Sequence, residues 1–92
     1  MKTSKQMERH LRGVSNHYRI EILLLLADSK GMTLEDIFIK LRANQKTISE
    51  HTRRLQLAGL VNKRYNGRFV EHILTPYGEF FTKFLKSFQN IK

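Results

Sequence analysis

The chain has 92 residues, which suits one small domain and leaves no room for a second. Seventeen Lys and Arg against eight Asp and Glu give a formal charge of +9, which favours a polyanionic partner, and 40% hydrophobic content is that of a chain that folds. The absence of cysteine excludes disulfides, thiolate metal sites and sulfur-based catalysis, and the longest apolar run, Ile22 to Ala27, is far shorter than the roughly 20 residues of a membrane span. The polar start, Met1 to His10, has no apolar signal-peptide core, so the cytoplasm is the expected compartment.

Periodicity changes along the chain. Met7, His10, Leu11 and Val14 step by three and four, predicting a short helix over about 4–13 with Thr3 or Ser4 as cap. Asn16 can cap a central core helix, His17 to Asp28, with Ile20, Leu23, Leu24 and Ala27 on one face, Ile22, Leu25 and Leu26 widening it, and Gly31 beyond its end as a stop. Thr33 to Asp36 resembles a capping box with Asp in place of Glu, and Leu34, Ile37, Phe38 and Leu41 carry a second core helix to about Arg42. Asn44 can cap a third, Gln45 to Ala58, whose inward residues are Ile48, Thr52 and Leu55 and which Gly59 ends. These two make a helix-turn-helix over about 33–58.

Two extended runs over about 60–74 flank Asn66-Gly67, a pair suited to a type I′ hairpin turn. That turn pairs Tyr65 with Arg68, Lys63 with Val70 and Val61 with His72, and puts Val61, Val70 and Leu74 on the inner face. Thr75-Pro76 then opens an aromatic helix, about 76–90, in which Tyr77, Phe80, Phe81, Phe84, Leu85 and Phe88 recur at helical spacing. The predicted fold is mainly α with a small β-hairpin wing, about five helices in all.

Charge is concentrated. Lys40, Arg42, Lys46, Arg53, Arg54, Lys63, Arg64 and Arg68 face one acid, Glu50, between Lys40 and Arg68, leaving only +2 for the remainder. A solvated surface interleaves both signs, whereas a phosphate footprint needs this segregation. Lys46, Ser49, Glu50 and Arg53 lie opposite Ile48, Thr52 and Leu55 on the helical wheel. Gln45, Lys46, Thr47, Ser49 and Arg53 can read base edges in a major groove, with Asn44 at the helix start and Arg54 toward the wheel's edge within reach of phosphate. Lys63, Arg64 and Arg68 on the wing would hold flanking backbone. Glu50 is expected to pair with Lys46 and Arg54, four residues to either side.

The stretch LRANQKTISEHTRRLQLAGLVNKRYNGRFVEHILT resembles the winged helix-turn-helix of the ArsR-like family of small bacterial and archaeal repressors, with MarR-like regulators more distant. The family's usual run is Ser/Asn-Gln-x-Thr-Val-Ser-x-His-Leu-x-x-Leu, then Ala-Gly-Leu-Val, a basic wing with Gly-Arg, and a Val-x-Tyr-x-Leu return strand. Asn44, Gln45, Thr47, Ile48, Ser49, His51 and Leu55 match in register, as do Ala58 to Val61, Gly67-Arg68, Val70 and Leu74. HYRIEILLLLADSKGMTLEDI looks like the family's preceding helix and short first strand. The chain departs from the pattern at Thr52, where an aliphatic residue is usual, at His72, often Tyr, and at Leu57, commonly charged.

The resemblance implies a homodimer, joined through its first and last helices, that binds a palindromic double-stranded DNA operator as a repressor. It does not carry over metal sensing, because neither the family's cysteine motif nor its Asp and His ligands on the last helix are present.

Tyr77 and four Phe are more apolar surface than a chain this short readily buries, so Met7, Leu11, Tyr77, Phe80, Phe81, Phe84, Leu85 and Phe88 are the expected dimer contacts. A pocket for a small-molecule effector in this layer is the weaker reading. No cofactor is expected. The four histidines lack ligand-spaced partners, and His51, Thr52 and His72 fit packing or backbone contacts. No catalytic constellation is present, so an enzyme is not expected. The rival readings are a winged helix that meets an acidic protein or structured RNA, and an architectural DNA coater without sequence preference.

Overall fold

The computed structural model describes every residue, Met1–Lys92. The elements run α1 Ser4–Val14, α2 His17–Asp28, β1 Met32–Thr33, α3 Leu34–Lys40, α4 Gln45–Leu57, β2 Val61–Asn66, β3 Phe69–Leu74 and α5 Pro76–Gln89. Each helix starts on a side chain that accepts the free amides of the first turn. Thr3 and Thr33 form capping boxes with Gln6 and Asp36, Asn16 accepts from Tyr18 and Arg19, Asn44 from Thr47, and Thr75 from Gly78. No helix is long and apolar enough to cross a membrane.

Helices α3 and α4 end alike, on a left-handed residue with paired return bonds. After α4, Gly59 (φ +78°) lets the Gly59 and Leu60 amides reach the Gln56 and Leu55 carbonyls. After α3 the same position is Arg42 (φ +55°), whose amide and that of Ala43 reach Ile39 and Phe38. α3 therefore stops at Lys40, before the expected Arg42, at a backbone conformation that costs a side-chain-bearing residue about 1–2 kcal/mol.

The core is Val14, Ile22, Leu23, Leu26, Ile37, Ile48, Leu55, Ala58, Leu60 and Val61. On α2 the fully buried residues are Ile22, Leu23 and Leu26, while Ile20, Leu24, Leu25 and Ala27 are only half-buried. The buried face is thus turned by about 100°, one residue's step, from the expected one, because the run Ile22 to Ala27 is apolar all round and carries no stripe to fix its rotation.

The three strands form an antiparallel sheet ordered β1-β3-β2, with Met32 opposite His72 and Thr33 opposite Glu71. The hairpin register differs from expectation. Asn66 pairs with Phe69, Tyr65 with Val70, Lys63 with His72 and Val61 with Leu74. The two turn residues are Gly67 and Arg68, and only Gly67 has positive φ (+63°), the signature of a type II′ turn in place of I′. Each partner moves by two residues, so the faces are kept and Val61, Val70 and Leu74 still share one side.

α5 is seated where the wing returns. The Thr75 amide donates to the Leu60 carbonyl (3.1 Å), the Thr75 hydroxyl donates to the Gly59 carbonyl (2.6 Å), and the Gly78 amide donates back to that hydroxyl (3.0 Å). A Cβ on Gly78 would overlap the Leu60 carbonyl oxygen, which is backbone and has little freedom to yield. Gly78→Ala is expected to destabilise the fold by about 1–3 kcal/mol through this overlap, read as a lowered denaturation midpoint. An unchanged midpoint would show that the helix shifts freely.

Candidate nucleic-acid interface

Helix α4 stands out from the core with Ile48, Thr52 and Leu55 buried beneath it. The buried Thr52 hydroxyl donates to the Ser49 carbonyl (2.9 Å), so a polar residue at a core position leaves no unpaired group. Gln45, Lys46, Ser49, Arg53 and Arg54 are exposed along the outer face, and Thr47 is half-buried. Asn44 spends its side-chain oxygen on the Thr47 amide (2.8 Å) and serves as the helix start.

Glu50 keeps the expected pairing with Arg54 but takes Arg53 in place of Lys46. Its carboxylate takes both Arg53 Nε (3.2 Å) and Arg53 Nη2 (2.8 Å), and also Arg54 Nε (3.1 Å). Lys46 makes no ion pair. A planar guanidinium three residues on presents two parallel donors to a carboxylate, a match that the ammonium of Lys46 cannot make. The hydrogen bond from Arg53 holds the Glu50 carboxyl below its ordinary range, and Glu50 in turn raises Arg53.

The wing flanks α4 on one side. Lys63 shares a cleft with Ser49, Thr52, Arg53 and His72, and Arg68 shares another with Gln45, Glu35 and Phe69, its guanidinium 5.8 Å from the Phe69 ring. Arg64 points the other way. It is the direct cross-strand neighbour of Glu71 and holds it through two bonds (2.9 and 3.2 Å), so this cation is largely committed within the sheet. Lys63 and Arg68 are therefore the wing residues brought beside the recognition helix.

Of the expected dimer contacts, Met7, Leu11, Tyr77, Phe80, Phe84 and Phe88 are exposed, Phe80 at 69%. Phe81 and Leu85 are half-buried and pack against the chain's own core, because the return of α5 across α2 turns that edge inward. The histidines make packing and backbone contacts. His10 Nδ1 donates to the Ala58 carbonyl (2.9 Å), His72 Nδ1 to the Met32 carbonyl (3.1 Å), and His51 stacks on Tyr18.

Sequence reasoning passed over Arg19, near the start of α2, which reaches His51 (3.4 Å) beside Arg54. Its signal was its place one turn beyond the Asn16 cap, but nothing local says that this turn meets the recognition helix.

A helix-turn-helix with an exposed second helix, beside a hairpin that β1 extends to three strands, defines a winged helix-turn-helix protein. The chain belongs to the arsR family of bacterial regulatory proteins, whose model matches residues 16–63, just over half its length. Among solved structures, HlyU from Vibrio cholerae is similar at 25% identity, with a TM-score of 0.84 over 95% of each chain. The transcriptional repressor PagR of Bacillus anthracis shares the fold at 20% identity and TM-score 0.80, covering 88% of this chain and 93% of that one. The homodimeric winged helix-turn-helix DNA-binding domain Mb0332 from Mycobacterium bovis does so at 23% identity and TM-score 0.83, covering 94% and 80%. No curated protein sequence matches the chain.

Burial lowers the pKa of His72, against the Met32 carbonyl that raises it, and Lys63 lowers it further; burial and then Arg19 lower that of His51. Below about pH 6.5 the unfolded chain therefore binds protons that the folded chain refuses, and stability falls on acidification. The lowered carboxyl of Glu50 adds a loss in the same direction further down, through the carboxylate range. The thermal midpoint is expected to drop from about pH 7.5 to about pH 5.5, and His72→Gln to shallow that drop. A midpoint that rises over this interval would contradict both histidine assignments.

Proposed function

We propose that this chain is a homodimeric, sequence-specific double-stranded DNA-binding repressor that acts in the cytoplasm as a single winged domain and senses no metal. The observation that carries the reading is the outer face of α4, where Gln45, Lys46, Ser49 and Arg53 stand exposed with Lys63 and Arg68 beside them. A major groove admits one helix, and these side-chain types suit its base edges, while the wing cations suit flanking phosphate. Membership of a family of regulatory proteins supports the regulatory role, and the fold shared with the repressor PagR supports its sign. Metal sensing is left out of the reading because the sequence carries neither the family's cysteine motif nor its Asp and His ligands on the last helix.

The exposed apolar stripe of α1 and α5 supports the dimer, since monomers rarely leave such a patch in water. Two-fold pairing sets two recognition helices about 34–36 Å apart, one turn of duplex. Phe80→Asp combined with Phe84→Asp is expected to give a folded monomer in sedimentation, with affinity for a palindrome reduced to that for one half-site. A dimer that survives both changes would move the interface elsewhere.

Selection of bound duplexes from a random pool tests the function directly, the expected product being a palindrome. With six to ten phosphates neutralised, log affinity should fall against log salt with a slope of about −5 to −9. Arg53→Ala should cut preference for the selected site over random duplex by about 10–100-fold, whereas Arg68→Ala should weaken all sequences alike and lower the slope by about two, one contact in each protomer. Arg64→Ala should act in the same sense as Arg68→Ala but less, because Glu71 already occupies it. A flat salt response, or stronger capture of RNA hairpins than of duplex DNA, would overturn the reading.

A further inference from the structure

On the flank of α4 opposite the wing, four cationic or protonatable side chains crowd together around a single carboxylate. Arg19 from α2 reaches His51 (3.4 Å), which stacks on Tyr18 with rings 5.4 Å apart, and His17 lies beyond Tyr18 at 4.2 Å. Arg54 approaches Arg19 closely enough that, after burial, it is the next cause lowering the Arg19 pKa. The one acid facing the cluster is Glu50, already shared between Arg53 and Arg54. Arg19 itself is poorly served. Its Nε is buried with no hydrogen-bond partner, and its Nη2 makes only long bonds to the Arg12 and Ser15 carbonyls (3.4 and 3.5 Å). The amides at the start of α2 are not the attraction, because Asn16 already occupies those of Tyr18 and Arg19.

A fold gains nothing from packing like charges around an unpaired donor, and an apolar replacement would cost less. On a helical wheel Ser49 and Thr52 lie on the flank of α4 that meets the wing, and His51 and Arg54 on the other. A helix in the major groove has a sugar-phosphate strand on either side. We infer that Arg19 and Arg54, braced by His51, form a clamp for one backbone phosphate of the strand on the side away from the wing.

This inference rests on the proposed DNA binding, and its test separates the two. The probe is a random-sequence duplex of about 30 base pairs, long enough for two half-sites one turn apart, titrated at several salt concentrations. Arg19→Gln and Arg54→Gln should each weaken binding at least about tenfold and reduce the salt slope by about 1.8, the share of two phosphates, one for each protomer of the dimer. Because both residues hold the same phosphate, the double variant should lose no more slope than either alone. The unfolding midpoint of Arg19→Gln should stay level or rise, which a purely structural role would not allow, and Arg9→Gln on α1 should leave binding unchanged. An unaltered slope in Arg19→Gln, or a double variant that loses about twice as much, would overturn the shared clamp while leaving DNA binding intact. Absence of salt-dependent binding by the unmodified protein would instead overturn the function on which the clamp rests.

Discussion

Three consecutive carbonyls just past the end of α4 tie the terminal helices to the rest of the molecule. Ala58 accepts from His10 on α1, Gly59 from the Thr75 hydroxyl, and Leu60 from the Thr75 amide at the start of α5. The return bonds of the Gly59 turn serve the last carbonyls of α4 but leave those of Ala58, Gly59 and Leu60 free, and their partners come from the two terminal helices. Gly13 and Gly78 make the approach close enough, since a Cβ on Gly13 would overlap that of Ala58 and one on Gly78 would overlap the Leu60 carbonyl. The surfaces that carry the exposed aromatic residues are thereby fixed to the surface that carries the exposed cations. The wing begins and ends at the same place, because Val61 follows Leu60 and pairs with Leu74, directly before Thr75.

Much of this was legible because the signals are local. The five caps, the helix-turn-helix and the opposition of Ile48, Thr52 and Leu55 to the polar face of α4 follow from residue types at fixed spacing. What escaped was decided by contacts distant in sequence or by a choice between near-equivalents. Asn66-Gly67 and Gly67-Arg68 both offer a two-residue turn, and one positive φ at Gly67 is enough for the second. The rotation of α2 depends on what surrounds it, and its run from Ile22 to Ala27 gives no polar side to break the tie. Phe81 and Leu85 share the spacing of Phe80, Phe84 and Phe88, and only the path of α5 over the core separates inner from outer members.

At the interface the same limit applies to charge. Counting cations finds the basic segment but not which of them are spoken for. Arg64 faces Glu71 because the strands are in one register and not another, and a wing closed on Asn66-Gly67 would have set Arg64 opposite Phe69. Arg53 is held by Glu50 in a two-bond fork, so in the proposed complex a base edge would compete with a carboxylate already in place. An ordered guanidinium loses less rotamer freedom on docking than a free one, while a wrong base leaves it with its original partner.

Two cations at the edges of the helix-turn-helix cost the fold stability. Arg42 occupies a left-handed turn that glycine fills without strain after α4, and Arg19 keeps a donor unpaired beside another cation. Both are exposed or half-buried cations at the edges of the helix-turn-helix, where a smaller or apolar side chain would relieve the backbone or the field. Conformational strain and like-charge crowding persist only where surrounding contacts over-determine them. Here the surrounding contacts are the buried faces of α2, α3 and α4, which meet through Ile22, Ile37, Ile48 and Leu55, all fully buried. A rigid base of this kind lets the surface above it stay electrostatically unsatisfied, and an unsatisfied cationic surface is the complement of a phosphate backbone.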